Sequence, residues 1–565
     1  MFSIRQIGII GRTYRHLTRY RQILTIFFKY GLGEFVDLLK IEQYIETGLQ
    51  MISRKQREHT TRLSRAERVR LAFEELGPTF IKLGQVLSSQ PGLIPIDIVN
   101  ELARLQDDVP PCGFEPIALS VSQEFDTPLD RLFQAIDSRP IASASIAQVY
   151  KARLHSGEIV AVKVQRPGIK RVIEVDLEIM LYLAGVLERN VAEFAPHRPT
   201  QIVKEFARVL AQEMDFTFEA ANVERFSRQF AQDETIYVPR VFRRYTSARV
   251  LTLEFIDGIK ISDIKRLEAE GYDKQVITKR GTDLTMKQVF LHGFFHADPH
   301  PGNIFILPDN VICPLDYGMV GYVDLKHREM FVDLLDSLVR QKIPKAARVL
   351  LQLAIWDSEP DAVALERDLA DFIGHHFYKP LKEIEVGKLL QNLLVMLTEH
   401  RLRLPPNIFL MMKALGTIEG IARQLDPDFD IITHATPFAR KVILARYTPG
   451  RIAGEIARTA GGLHHFAQEF PDELLDLSRR LKEGKITLNI EHKGFDNLMT
   501  THDRVSNRLS FSIIIAALLI GSAMIITTKI PPLVFGISLF GIIGFIGAAI
   551  MGVWLLIGIL RKGRL

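Results

Sequence analysis

The stretch that decides the fold runs from Phe294 to Gly321 and reads FFHADPHPGNIFILPDNVICPLDYGMVG. Its polar residues fall into two groups, separated by an apolar run with the pattern of a short strand. Asp298 and Asn303 stand five residues apart in the first group, and Asp316 follows thirteen residues later. Two prolines stiffen the loop that carries the first group. This fixed spacing of two carboxylates and one amide predicts a site whose chemistry depends on placed charge.

The spacing is that of protein kinases, in which H-R-D-x-x-x-x-N is followed by D-F-G. On this resemblance Asp298 is the catalytic residue that orients or accepts the proton of the attacking hydroxyl or water. Asn303 and Asp316 would hold Mg²⁺ against the nucleotide phosphates, since phosphoryl transfer depends mainly on placing charge. Lys163, in the strand-like run VAVKV, would be the lysine that neutralises the α- and β-phosphates. Glu219, on the next helical stretch, is the expected partner of that lysine.

The same resemblance predicts a nucleotide-binding loop and a linker between two lobes. The backbone from Glu254 to Ile256, in LTLEFIDG, would hydrogen-bond adenine. The loop over the phosphates carries alanine where kinases carry glycine, and alanine restricts the approach of backbone N–H groups to phosphate. The hydroxyls of Ser143 and Ser145 fit either the end of a strand or a phosphate nearby. The predicted loop residues are Ile141, Ala142, Ser143, Ala144, Ser145, Ile146, Ala147, Gln148 and Val149.

Two further motifs point to one family of atypical kinases. FIKLGQVLSSQPGLIP contains Lys82 and Gln85, and EMD contains Glu213 and Asp215. With the alanine-bearing loop, they make residues 75 to 325 resemble the UbiB family, also called the AarF or ADCK family. The resemblance implies that a K-x-G-Q extension lies across the cleft, where Lys82 would face Glu213 and Asp215 in a regulatory contact. It also implies ATP and Mg²⁺ as cofactors, a helix that occludes the place of a protein substrate, and a role in ubiquinone biosynthesis at a membrane.

The order of the patterns predicts an α+β protein. Short β-favouring runs split by a Ser-Gly turn lie between Pro140 and Val164, the run VPRVFRRYTSARVLTLEFIDG from Val238 predicts two more strands, and helical patterns dominate after Ile261. We therefore predict an atypical protein-kinase-like bilobal fold with a helical N-terminal extension and a C-terminal two-helix transmembrane hairpin. The predicted units are a basic helical segment at 1–75, the K-x-G-Q extension at 76–125, the N-lobe at 126–258, the helical C-lobe at 259–500 and the hairpin at 505–565.

The C-terminal end has the composition of membrane helices. The runs Leu509 to Ile526 and Leu533 to Leu560 contain no charged side chain and reach the length that a bilayer core requires. Basic residues flank the outer ends, while one lysine lies in the turn, which predicts that both termini are cytoplasmic. Small residues at Gly544, Ala548 and Gly552 would let the two helices approach closely. These patterns predict a multi-pass membrane protein with its catalytic part in the cytoplasm. The resemblance to bacterial members of the UbiB family implies the cell inner membrane, with membrane lipids as partners.

The net charge does not favour nucleic acid as a partner, because 71 basic residues face 66 acidic ones and leave a formal charge of +5. The first thirty residues are locally basic, which fits either a segment lying on an anionic membrane or a solvated helix face. The apolar run Ile23 to Phe28 is too short for a signal peptide. Cys112 and Cys313, the two cysteines, fit a reducing cytosol and argue against a disulfide framework. The basic residues concerned are Arg5, Arg12, Arg15, Arg19, Arg21 and Lys29.

Three histidines, His292, His296 and His300, recur every fourth residue and on a helix would line one face, where they could bind zinc. The prolines among them forbid a continuous helix, so structural roles are favoured, with His296 bracing the loop beside it. Gly84 lies inside a helical pattern at a cost of about 1 kcal/mol relative to alanine, which favours close packing across a cleft. Gln85 is either a surface amide or a functional one.

Two functions of different classes fit these observations. The first is an ATPase or atypical kinase that acts on a small or lipid-linked substrate in quinone biosynthesis, and the complete set of predicted catalytic residues favours it. The second is a nucleotide-gated scaffold that binds lipid without turnover, and the alanine-bearing loop and the contact expected at Lys82 favour it. Ordinary protein kinase activity ranks third. The expected partners are quinone-biosynthesis enzymes or isoprenoid lipid intermediates.

Overall fold

The computed structural model describes the chain in ten stretches, residues 18–32, 63–88, 94–105, 110–190, 198–356, 358–377, 384–454, 495–528, 531–534 and 537–562, with a few single positions between 457 and 482. The chain divides into two compact units, residues 1–453 and 454–565. The first unit contains all the site residues predicted above, so its architecture decides the site.

A five-stranded antiparallel sheet lies in the first part of this unit. Its strands follow the order β1-β3-β4-β5, and β2 pairs with β3. The hairpin predicted from the Ser-Gly turn is present between β3 and β4, where Gly157 adopts a φ of +100° that suits glycine. The strands are β1 (Ala135–Ile136), β2 (Ala142–Ser143), β3 (Ala147–Arg153), β4 (Ile159–Gln165) and β5 (Val250–Glu254).

The alternation of side chains along β4 separates a core face from a cleft face. Val160 and Val162 are fully buried and share a hydrophobic cluster with Ile117 of the helix Phe114–Glu124. Because successive side chains of a strand point to opposite faces, Lys163 faces away from that cluster. The helix Phe114–Glu124 packs on the sheet, although it lies before the N-lobe boundary predicted at residue 126.

The run that begins at Val238 forms one strand rather than the two predicted. Arg243–Tyr245 is a 3₁₀ turn, and the pairing ahead of it is a single bridge between Val241 and Leu253. Pro239 has no N–H group to donate to a strand ladder, so β-favouring side chains do not extend the sheet here.

Three helices connect β4 to β5, and the extension packs on the first of them. They are Ile169–Asn190, Pro199–Glu213 and Phe216–Gln229. Pro196 and Pro199 predict an interruption of the helical pattern here. Pro196 lies outside the described residues, and Pro199 stands in the first turn of a new helix, after a residue in the left-handed region. Apolar side chains of the extension, including Phe80, share one buried cluster with side chains of Ile169–Asn190.

The extension, taken here as the described residues before 106, contains the helical segments 18–29, Arg65–Leu76, Pro78–Ser88 and Ile96–Leu102. The second begins with a capping box, in which Ser64 and Glu67 satisfy each other's backbone N–H groups. A glycine just past a helical pattern predicts the end of the helix, and this helix does end at Gly77, where φ is +93°.

Two of the basic residues predicted to face a membrane or solvent form ion pairs within the chain. Arg19 donates to both carboxylate oxygens of Asp176 at 2.7 and 3.0 Å and to the carbonyl oxygen of Leu76 at 2.7 Å. Asp176 is fully buried, so its charge requires this partner. Lys29 forms a more exposed ion pair with Glu75. The prediction is therefore wrong for Arg19, whereas the exposed pair of Lys29 fits a solvated helix face. Arg5, Arg12 and Arg15 lie outside the described residues.

In the second part of the unit, the stretch from Phe294 to Gly321 supplies strands to two small antiparallel sheets. One contains β6 (Ile259–Lys260), β8 (Ile304–Leu307) and β9 (Val311–Pro314), and the other pairs β7 (Phe294–His296) with β10 (Val320–Tyr322). The loop that contains Asp298 leaves β7 and the loop that contains Asp316 enters β10, so the pairing of these two strands brings both loops to one place.

Helices surround these sheets and bury the largest hydrophobic core of the described chain. A π-helical turn, Lys287–His292, ends at Gly293 immediately before β7, which confirms that the three histidines do not share a continuous helix face. The α-helices are Ile264–Ala269, Lys274–Met286, Leu325–Val339, Ile343–Leu353, Ala362–His376, Val386–Glu399, Pro406–Leu425 and Ile431–Ala445.

The C-terminal unit contains two apolar helices, Phe495–Thr528 and Leu539–Lys562, joined through the short strands β11 (Leu533–Val534) and β12 (Ile537–Ser538). Among the described residues, Leu509–Thr528 is long and apolar enough to cross a membrane, with a mean hydropathy of 2.5, whereas the apolar part of the second helix, Leu539–Leu555, is shorter. The structure thus supplies one candidate span, and the prediction of two spans is not confirmed.

Small residues bring the two helices of this unit together, as predicted in part. A Cβ at Gly544 would clash with Ser522, and Ala548 is buried. A Cβ at Gly552 would meet no atom within 4 Å, so this third position does not serve the helix contact.

Candidate active site

Lys163 lies at the centre of the site on the cleft face of β4. Its Nζ contacts both carboxylate oxygens of Glu219 at 3.0 and 2.9 Å, the pairing predicted from the sequence. Glu219 stands in the first turn of Phe216–Gln229, which Asp215 caps, and its side chain is buried. Burial disfavours the charged form of Lys163, but Asp316 and Glu219 outweigh that effect and raise the pKa of this lysine above its ordinary value. The lysine therefore carries a permanent positive charge.

Asp316 is the second carboxylate beside Lys163, with 3.4 Å between Oδ1 and Nζ. The positive charge of Lys163 lowers the pKa of Asp316 to about 2, against the opposing effect of burial. Its backbone adopts a left-handed φ of +59°, a conformation that aspartate tolerates better than most residues. About half of its side chain, 52%, is exposed. Asp316 is thus ionised and open on the side away from the lysine.

His296 joins the Asp298 loop to the Asp316 loop. The backbone N–H of Asp298 donates to His296 Nδ1 at 3.2 Å, and His296 Nε2 lies 3.2 Å from the carbonyl oxygen of Leu315. Because Nδ1 accepts a hydrogen bond and the Leu315 carbonyl can only accept one, these contacts place the ring hydrogen on Nε2. The N–H of Leu315 in turn donates to the Asn303 carbonyl at 2.7 Å. The bracing role predicted for His296 is seen directly in these contacts.

Asn303 and Asp316 carry the donor types that suit Mg²⁺, an amide oxygen and a carboxylate. The two residues belong to loops that are hydrogen-bonded through Leu315. Among the described residues, no group of three His, Cys, Asp or Glu side chains is arranged to hold a metal ion. Mg²⁺ is often held by one or two carboxylates together with substrate phosphates, so one carboxylate and one amide fit it when a nucleotide supplies the rest.

Lys82 of the K-x-G-Q motif contacts Glu213, with 2.5 Å between Nζ and Oε1. Lys82 is nearly buried, and its charge contributes to the lowered pKa of Asp316, so it lies close to the centre of the site. Asp215, predicted to face the same lysine, uses its carboxylate to cap a helix by accepting from Thr217. The contact between the motif lysine and the E-x-D segment is therefore present at Glu213.

The two other motif residues hold the extension together. A Cβ on Gly84 would clash with Leu105 and lie close to Phe73 and Leu102, all within the extension. The close packing predicted for Gly84 is thus present, but within the extension rather than across the cleft. Gln85 donates to the carbonyl oxygen of Leu105 at 3.4 Å and so serves the same packing.

The alanine-bearing loop is a closed turn between β2 and β3. Ile141 N donates to Val149 O and Ala144 N to Ala147 O, each at 2.8 Å. None of its residues, all of them described, has a positive φ, so glycine is not required for this conformation. The side chain of Ser145 is buried, and its Oγ has no hydrogen-bond partner in the structure.

Arg166, which the sequence motifs do not indicate, stabilises this turn through its guanidinium group. It donates to the carbonyl oxygen of Ala144 at 2.9 Å, to Ser143 Oγ at 2.8 Å and to the carbonyl oxygen of Pro110 at 3.0 Å. Gln148 is fully buried and also donates to Ser143 Oγ. Ser143 therefore has a structural role in the turn, whereas Ser145 retains a free hydroxyl.

The linker segment has fewer backbone donors for adenine than predicted. The N–H of Glu254 donates to the Arg240 carbonyl at 2.9 Å, and the N–H of Phe255 donates to the Ile159 carbonyl at 3.1 Å. The Glu254 carboxylate accepts from the hydroxyl of Tyr237. The prediction of adenine binding by N–H groups in this segment now rests on Ile256.

Lys413 is a further residue of the site, and no sequence motif predicts it. Its Nζ lies 3.2 Å from Oδ1 of Asp298, and both side chains are partly exposed. It comes from the helix Pro406–Leu425, more than one hundred residues after the loop that it contacts.

Comparison with known proteins agrees with this geometry. Residues 104–350 match the ABC1 atypical kinase-like domain, residues 369–430 the UbiB helical domain, and residues 493–561 the ABC1/UbiB kinase-like C-terminal domain. A protein of Aeromonas salmonicida named "Probable protein kinase UbiB" is 32% identical over 504 residues, 88% of this chain and 90% of its own length. This chain belongs to the UbiB family.

Two further relatives match this chain over a similar share of their length. The protein of the same name from Aliivibrio fischeri is 32% identical over 91% of this chain and 95% of its own length. An uncharacterised protein of Clostridium pasteurianum, from the 5′ region of hydrogenase 1, is 32% identical over 88% and 94%. Among solved structures, the Rv3197–erythromycin complex of Mycobacterium tuberculosis aligns with a TM-score of 0.44 and 24% identity, over 56% of this chain and 80% of that one.

The UbiB assignment confirms the α+β, kinase-like fold predicted from the sequence. The residues that converge in the cleft lie in two of the matched segments. Lys163, Glu219, Asp298 and Asp316 lie within the atypical kinase-like domain, and Lys413 lies within the UbiB helical domain. The helical domain thus supplies a side chain to the site.

Proposed function

We propose that this kinase-like protein of the UbiB family binds MgATP in the cleft and uses it, by hydrolysis or by phosphorylation of a small or lipid-linked acceptor, in support of ubiquinone biosynthesis. The observation that carries the proposal is the convergence of Lys163, Glu219 and Asp316 beside the Asp298 loop. Names of the UbiB relatives and the kinase-like domain support the same class of activity.

Each residue has a role that follows from its charge and position. Lys163, held by Glu219, would neutralise phosphate oxygens of the nucleotide. Asp316 and Asn303 would hold Mg²⁺, which neutralises charge that develops on the phosphates. Asp298 would accept the proton of the attacking hydroxyl or water as its oxygen bonds to the γ-phosphorus and the bond from that phosphorus to the ADP oxygen breaks. These roles are those predicted from the sequence.

The contacts of the extension support a small or lipid-linked molecule as the acceptor. The nearly buried ion pair between Lys82 and Glu213 joins the extension to the helices beside Lys163. Such an arrangement supports the proposal that the cleft takes a small or lipid-linked acceptor rather than a folded protein. The apolar helix Leu509–Thr528 supports an inner-membrane location, with membrane lipids or isoprenoid intermediates and quinone-biosynthesis enzymes as partners.

Phosphate release by the full-length protein in lipid vesicles tests this proposal. We expect MgATP-dependent release by the wild type and a decrease of about 10²-fold or more in Asp298→Asn, because the base is removed. Asp309→Asn is a matched control, since Asp309 is exposed in the turn between β8 and β9 and adopts a φ of +61° that asparagine tolerates. Equal release by the wild type and Asp298→Asn would refute turnover.

A second function, that of a nucleotide-gated lipid-binding scaffold without turnover, is favoured by one specific observation. The alanine-bearing turn is closed by its own hydrogen bonds and held by Arg166, so its backbone is less available to phosphates than a glycine loop. The two functions differ in their need for turnover. If quinone-dependent growth survives Asp298→Asn, which removes the catalytic base and leaves Lys163 and Asp316 in place, the scaffold function replaces the enzymatic one.

A further inference from the structure

Lys413 lies on a largely apolar helix, so its ammonium group needs a polar partner nearby. It is the only charged residue between Pro406 and Ile418. Its neighbours on the chain, Met412 and Ala414, are buried, whereas about a third of the lysine side chain, 31%, is exposed. A helix packed on most of its surface can place a lysine only where a polar group meets it. That group is the Asp298 carboxylate.

The helix that carries Lys413 is held against sliding by close contacts one turn further on. A Cβ on Gly416 would lie 3.3 Å from the Cα of Gly387, so the two helices touch at their backbones. Glu419 accepts from the N–H of Gly387, and Arg423 donates to the Ile384 carbonyl. Because these contacts fix the helix, the ammonium of Lys413 is already in place before any ligand binds.

The Asp298 loop supplies no permanent positive charge of its own. Between Asp298 and Asn303 its residues are two prolines, a glycine and His300, whose Nδ1 accepts from the N–H of Gly302. The other lysines at the site have different partners, Glu219 for Lys163 and Glu213 for Lys82. Lys413 is therefore the cation that balances the Asp298 carboxylate.

We infer that Lys413 is a positioning residue of the active site, which acts through Asp298. Its contact with Oδ1 fixes the carboxylate and leaves Oδ2 to receive the acceptor proton. A phosphoryl group in transfer carries negative charge, which would otherwise repel Asp298, and the ammonium offsets that repulsion. The inference rests on the proposed function and makes the helical domain a part of the catalytic machinery.

The test compares Lys413→Met, which removes the charge at similar length, with Lys413→Arg, which keeps it, as full-length proteins in vesicles. We expect kcat for phosphate release to decrease about tenfold or more in Lys413→Met, with the KM for ATP changed less than about twofold, because Lys413 contacts the base and not the nucleotide. Lys413→Arg should recover most of the lost rate. In an Asp298→Asn background, Lys413→Met should cause no further loss.

Lys345→Met is the matched control, because Lys345 forms an ion pair of 3.4 Å with Asp333 on another helix of the same unit. It should have the wild-type rate. If Lys413→Met does not fold, Lys413→Gln replaces it, with the same loss expected. A wild-type rate in the uncharged variant, or an equal loss in the Arg and Met variants, overturns the inference while turnover stands. If the wild type releases no more phosphate than Asp298→Asn, the proposed function fails, and the inference fails with it.

Discussion

Lys163 has two carboxylate partners of unequal kind, one buried and one open. Glu219 has little access to water and cannot serve a metal while it holds the lysine, whereas Asp316 is half exposed. The division of tasks follows from burial: the enclosed carboxylate positions the lysine, and the open one is available to Mg²⁺.

Glu219→Gln should therefore impair both stability and turnover. The amide leaves Lys163 buried with less compensation, so we expect a loss of about 1–3 kcal/mol in the free energy of unfolding. We also expect ATP turnover to fall roughly tenfold or more, since the lysine loses its fixed position. Thermal unfolding and phosphate release measure the two effects.

Glu224→Gln on the same helix is the control for this variant, because Glu224 pairs with Arg243 at an exposed position. Exposed pairs contribute little, so it should have nearly wild-type stability and turnover. Identical behaviour of the two glutamine variants would contradict the positioning role of Glu219.

Asp316 should give stability a specific pH dependence. Its pKa in the folded chain, about 2, lies below the ordinary carboxyl value. A lowered pKa stabilises the fold above the ordinary value, and this contribution is lost as the pH falls through the folded one. The unfolding temperature of the wild type should thus exceed that of Asp316→Asn at pH 7, and the difference should narrow below about pH 4. A difference that is constant from pH 7 to pH 3 would contradict the ion pair with Lys163.

Several elements could be predicted because their signals are local. The hairpin of β3 and β4 follows from β-branched residues on both sides of a Ser-Gly turn, and the end of Arg65–Leu76 follows from Gly77. The strand predicted near Val241 is reduced to a single bridge with Leu253. The β-favouring residues there predict a strand, but Pro239 beside them cannot donate to a ladder. Local sequence patterns thus predict helices and strands, but a predicted strand forms only where it can pair with a neighbouring strand.

The packing around two helical glycines, one of them in the extension, predicts opposite effects on stability when each is changed to alanine. Gly84→Ala should destabilise the fold by about 1–3 kcal/mol, because the added methyl group would clash with Leu105. Gly374→Ala is the control, since a Cβ there meets no atom within 4 Å, and it should stabilise its helix by roughly 0.5–1 kcal/mol. Thermal unfolding of both variants measures the effects, and a neutral Gly84→Ala would contradict the packing.

The candidate site was predictable where the family's motifs lie and not beyond them. Lys163, Glu219 and Asp316 come together as their order implies, and His296 joins the Asp298 loop to the Asp316 loop, because motif spacing reflects one architecture. Lys413 reaches Asp298 only through the packing of distant helices, for which a single sequence carries no signal. Arg19 was likewise misassigned, because its buried partner is far away in the chain.

Membrane topology is a property of the whole chain, and labelling can test it. We propose two spans, and on that proposal Lys529→Cys, between the two apolar helices, should react with an impermeant maleimide in cells whose outer membrane alone is opened. Ser510→Cys, at the start of the first apolar run, should react only after the inner membrane is opened. Cys313 is fully buried and gives little background, and the partly exposed Cys112 is replaced by serine in both variants. Labelling of both positions from the cytoplasmic side would contradict two spans.

The contact between Arg19 and Asp176 has a practical consequence for handling the protein. A shortened version that starts after residue 30 would remove Arg19 and leave the buried carboxylate of Asp176 without this counterion. Deleting the amino-terminal residues to improve expression would therefore lower the yield of folded material.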